Sequence, residues 1–143
     1  MRAWLKLIEQ VLLALWAGAL VGVGALVPPV IFQHLSDRHS AGVLVGVVLR
    51  QITVLSVIVA TVLAAWALLR VAKSARWSAI GSRLAPAGLL ALSQWGVRPL
   101  LEIARVASGA DSEPFRAWHA VSTGLYALAT LWVLGLLVSA LRR

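Results

Sequence analysis

VLLALWAGALVGVGALVPPVIF, residues 11–32, carries no charged side chain over 22 positions. At about 1.5 Å of rise per residue, a helix of this length spans about 33 Å, enough to cross a hydrocarbon core about 30 Å thick. The run follows a basic start, Met1 to Lys6, and contains Ala17-Gly18-Ala19, so a cleaved leader has to be weighed. The apolar core of a leader is only about 7–15 residues long, and this run is longer. It is read as a retained span.

Three more runs of the same kind follow. Spans are expected over residues 5–30, 41–69, 84–106 and 114–141, which together use most of the 143-residue chain. With 61% hydrophobic and only 13% charged residues and a mean hydropathy of +0.91, the composition excludes an ordinary soluble domain. The expectation is one all-α domain over residues 1–143, an integral membrane four-helix bundle. Pro28-Pro29 should kink or end the first helix, because proline has no N–H to donate. Ser112 or Glu113 should cap the fourth, ahead of Pro114.

The net charge of +8 is concentrated in connectors and termini, where membrane topology accounts for it and nucleic acid is not needed. Arg2, Lys6, Arg70, Lys73, Arg76, Arg83, Arg142 and Arg143 fall on one side, with Glu9 the single acid there. Asp37, Asp111 and Glu113 lie on the other, against Arg38 and Arg116. The positive-inside rule then places both termini in the cytoplasm, most simply across a bacterial plasma membrane. The absence of cysteine excludes disulfides, thiolate metal sites and cysteine nucleophiles.

Polar residues at membrane depth are costly, and they gather in the outer half: Gln33, His34, Arg50, Gln51, Gln94, Arg98, Glu102 and His119. On span three, Gln94, Arg98, Glu102 and Arg105 share one helical face, so Arg98 can pair with Glu102. Pro99 removes the N–H that the Trp95 carbonyl would accept. Alternatively, span three ends at Val97 and Arg98 snorkels to the headgroups. Ser122 and Tyr126 share the face of His119 on span four. His34 and His119, entering from different helices at one depth, are candidate donors to a metal or haem iron, or members of a proton relay. The same histidines also fit an interfacial, purely structural role.

Trp4, Trp77 and Trp118 suit interfacial belts, whereas Trp16 and Trp95 fall deeper. Gly18 and Gly22, and Gly42 and Gly46, repeat at the four-residue spacing that lets membrane helices approach closely, within the bundle, in a homo-oligomer or against another membrane protein. No Walker loop, nucleophile elbow, zinc-protease motif or dinucleotide fingerprint occurs.

Pro29-Val30-Ile31-Phe32, Ala41-Gly42 with Gly46, and Phe115-Arg116-x-Trp118-His119-x-x-Ser122 together resemble the DUF4149, TMEM205-like family of small four-helix membrane proteins. The layout is more distantly similar to copper-resistance-D-like membrane proteins, and that resemblance is what implies haem or copper. The leading expectation is a non-enzymatic membrane protein with a polar ligand site in its outer half. His34, Arg50, Gln94, Arg98, Glu102, His119, Ser122 and Tyr126 would line it, around a metal, haem or an anionic lipid-like molecule. A haem- or quinone-dependent oxidoreductase, an assembly partner and a small transporter are the alternatives.

Overall fold

The computed structural model describes residues 2–70 and 73–142, and no strand occurs among them. Five α-helices are present: α1 (Arg2–His34), α2 (Arg38–Arg70), α3 (Arg76–Ala91), α4 (Arg98–Ser108) and α5 (Glu113–Leu141). A π-helical stretch, Leu92–Val97, joins α3 to α4 without a break, so the chain forms four rods. α1, α2 and α5 are each long and apolar enough to cross a membrane. Helices suit that solvent because every backbone hydrogen bond closes within its own segment. Arg143 lies outside the described residues, as do the side chains of Arg2, Arg70 and Lys73.

All four rods start earlier or run later than expected, and at α2 and α5 a polar side chain caps the start. Asp37 starts α2, accepting from the His39 N–H at 3.1 Å and the Ser40 N–H at 3.0 Å. Ser112 rather than Glu113 caps α5, accepting from the Phe115 N–H at 3.4 Å. Gly109, at φ 87°, stops α4 in a conformation that other residues rarely adopt. The prolines do not end α1. The helix passes through Pro28 and Pro29 to His34, as membrane helices tolerate when neighbours and local adjustment compensate the lost bonds.

Packing neighbours are α1 with α2, α2 with α3, and α5 with α1, α3 and α4, so α1 and α3 sit on one diagonal of a square. The core is formed by Leu13, Trp16 and Leu20 of α1, Ile52, Ala60 and Leu63 of α2, Ala87 and Leu90 of α3, and Ala129 and Val133 of α5. Two polar contacts between helices fix their register. Trp16 donates its indole N–H to Ser56 Oγ at 2.9 Å, and Ser93 and Ser122 hydroxyls pair at 2.8 Å. Tyr126 donates to the Leu20 carbonyl at 2.8 Å and packs over Gly24, where a Cβ would fall 2.6 Å from its ring.

Candidate functional site

Two charged arrangements lie at opposite ends of the bundle. At the end holding both termini, Glu9 and Arg83 meet at 2.5 Å across the α1–α3 diagonal. The same guanidinium donates to the Ala79 carbonyl at 3.0 Å. Both side chains are largely buried, at 10% and 17% exposure for Arg83 and Glu9. Beside them is a cavity of about 260 Å³ that Ser78, Ser82, Leu136 and Ala140 help to line. Arg83 is therefore not one of the connector's solvated cations, as its place in the basic run suggests. A lone carboxylate opening an apolar helix is the signal in the sequence, since burial there demands a counter-ion.

At the other end, the π-helical stretch reshapes span three. The Arg98 N–H goes to Ser93 O, five residues back, and Pro99 has no N–H. The Gln94 carbonyl thereby loses both its α and its π donor, in addition to the α donor that Pro99 withholds from the Trp95 carbonyl. Arg98 does not pair with Glu102. It reaches α2 and donates to the Gly46 carbonyl at 2.5 Å. Only glycine permits this, because a Cβ at position 46 would overlap the guanidinium. Gly46 is thus occupied from within the bundle, while a Cβ at Gly18, Gly22 or Gly42 would meet no neighbouring atom within 4 Å.

Gly46, Val47, Arg50, Gln94, Trp95 and Arg98 line a hollow of about 380 Å³ between α2 and the π-helical stretch. Arg50 and Gln94 make no side-chain hydrogen bond or ion pair among the described residues. Trp95 is 52% exposed at the rim. No lining residue is acidic. The hollow therefore presents two guanidiniums and a carboxamide beside an aromatic surface, a set of donors suited to an anionic headgroup with an apolar tail.

The remaining candidates are placed elsewhere. Glu102 is exposed and pairs with Arg105, whose guanidinium also meets the His39 ring at the start of α2. His34 is exposed, with Nδ1 2.9 Å from the carbonyl of Val30 one turn back. His119 is exposed and stacks on Phe115, ring centres 6.0 Å apart. Ser122 and Tyr126 are engaged in the packing contacts already described. Among the described residues, no group of three or more His, Cys, Asp or Glu is placed to hold a metal ion.

A model of a domain of unknown function, DUF4149, matches residues 11–109, more than two thirds of the chain. The chain belongs to the DUF4149 family. The matched stretch of this DUF4149 protein includes Arg83 and every residue lining the α2–α3 hollow, whereas Glu9 and all of α5 lie beyond it. No curated protein and no solved structure matches the chain.

Proposed function

We propose that this DUF4149 protein is a four-crossing protein of the bacterial plasma membrane that binds an anionic amphiphile in its outer half. Both termini are then cytoplasmic, in keeping with eight Lys and Arg against the single acid Glu9 on that side of the sequence. The observation that carries the reading is the acid-free pairing of Arg50 and Arg98 in one hollow. Each guanidinium offers a planar fork of donors to a phosphate or carboxylate, and the Gln94 carbonyl, without a helical donor, can accept from a headgroup hydroxyl. Val47 and Trp95 supply apolar contact for the start of an acyl or prenyl chain. The role is binding, with no reaction assigned.

Native mass spectrometry of protein released from mixed phosphatidylglycerol and phosphatidylcholine micelles tests this. Wild type should retain phosphatidylglycerol selectively. Arg50→Ala and Arg98→Ala should each weaken retention about tenfold, as expected for losing one charge-assisted contact of about 1.5 kcal/mol. Equal retention of both lipids by wild type, or no change in the variants, would refute the reading.

A further inference from the structure

The hollow's height in the bilayer follows from two independent contacts. The Glu9–Arg83 pair sets a common level on α1 and α3. Above it, α1 runs to Gln33, 24 residues or about 36 Å away, with no charged side chain after Glu9 and only apolar ones from Val11. On the α3 rod Arg98 is 15 residues above Arg83, only about 22 Å. The second route uses Trp16 and Ser56. Trp16 is about 10 Å above Glu9, and Arg50 is six residues, about 9 Å, above Ser56, so Arg50 stands about 20 Å above the pair. A helix tilt of about 20° shortens these spans by only about 2 Å. Both arginines thus sit about 14 Å lower than the end of the apolar run on α1, and about 10 Å beneath the outer edge of a 30 Å core.

We infer that the α2–α3 face is a polar notch that draws the outer membrane boundary inward and seats the headgroup of an outer-leaflet anionic phospholipid, which enters sideways between α2 and the π-helical stretch. The inference rests on the binding reading above and adds its source and route. Arg50 is exposed, and Trp95 is half exposed at the same rim. Arginine at this depth on a single face is stabilised by water and headgroups pulled down to it, with the bilayer thinning locally. The lining carries positive charge without a carboxylate, which selects an anionic headgroup.

The chain has no cysteine, so single introduced thiols report depth cleanly. Leu26 and Val47 provide a matched pair: both are exposed, and by the same arithmetic they stand about 25 and 24 Å above Glu9. Maleimide labelling in phosphatidylcholine nanodiscs, normalised to Ser36→Cys in the connector, should be at least about tenfold faster for Val47→Cys than for Leu26→Cys. That is the effect of one unit of thiol pKa raised by hydrocarbon. Val54→Cys, on the same face but two turns deeper, should remain unlabelled. In phosphatidylglycerol nanodiscs, labelling of Val47→Cys should slow while Ser36→Cys is taken as reference. Equal labelling of Leu26→Cys and Val47→Cys would overturn the notch, even if lipid retention by Arg50 and Arg98 holds. Protection by inorganic phosphate in phosphatidylcholine nanodiscs, with none from phosphatidylglycerol, would overturn the lateral lipid source. Fast labelling of Val47→Cys together with unselective lipid retention would leave the notch standing and sink the binding reading alone.

Discussion

Arg83 and Arg98 are two arginines of one continuous helical rod, and the bundle treats them in opposite ways. Arg83 crosses the diagonal to a carboxylate, Glu9, and is buried. Arg98 crosses to a backbone carbonyl, that of Gly46, and remains partly exposed in a hollow that no acid lines. The first guanidinium is neutralised, and its charge holds α1 to α3. The second keeps its full charge, since a carbonyl dipole orients a guanidinium without cancelling it. A charge left uncompensated at membrane depth is a stronger pointer to a ligand than one already paired.

The sharpest way to break this contrast is to remove one member of the Glu9–Arg83 pair. Glu9→Leu alone should destabilise the fold by about 3–5 kcal/mol, because Arg83 is left buried and unpaired. Glu9→Leu with Arg83→Leu should recover most of that loss, read as the midpoint of unfolding in mixed micelles. An additive double variant would show that the two side chains do not depend on each other.

Gly46→Ala attacks the opposite end. Its methyl displaces the Arg98 guanidinium, with a cost of about 1–3 kcal/mol typical of overpacking. Lipid retention should fall as in Arg98→Ala, whereas Gly18→Ala, with open space around it, should behave as wild type. Retention unchanged in Gly46→Ala would detach Arg98 from the binding reading.

Trp16→Phe removes the donor to Ser56 that aligns α1 with α2. A loss of about 1 kcal/mol is expected, the scale of one hydrogen bond between membrane helices. The same unfolding measurement checks it, and a neutral result would weaken the register used to place Arg50.

Acid should have the smallest effect, confined to the start of α2. The Asp37 carboxyl is held below its ordinary 3.8, chiefly by the Ser40 hydroxyl, then by the Ser40 and His39 backbone N–H groups. A depressed folded value means that the cap's contribution is complete above 3.8 and fades as pH falls through the lower folded value. Amide exchange at His39 and Ser40 should therefore show no loss of protection from the cap at neutral pH, and the loss should set in only in strong acid. In Asp37→Asn that acid response should disappear.

Legibility followed the range of each interaction. The Ser112 cap can be read directly, being set by residues three apart, and Asp37 has the same local chemistry. The α2–α3 hollow is partly legible: Arg50, Gln94 and Arg98 stand out as polar groups in apolar runs, whereas Val47 and Trp95 look like ordinary membrane residues. Gly46 is conspicuous as a packing glycine, yet nothing local identifies Arg98 as what it accommodates. The Arg98–Glu102 pairing fails because i,i+4 spacing only makes two side chains neighbours on a face. Arg105, on that same face, reaches the carboxylate instead.

The sequence by itself determined that the chain is helical, built from four apolar runs, a member of a small membrane-protein family by pattern, and basic on one side of its connectors. Those properties depend on composition and on local spacing, which a one-dimensional reading preserves. Only the tertiary structure decided that Arg83 finds Glu9 while Arg98 finds Gly46. That choice depends on the rotation, vertical offset and diagonal placement of whole helices, which no local periodicity encodes.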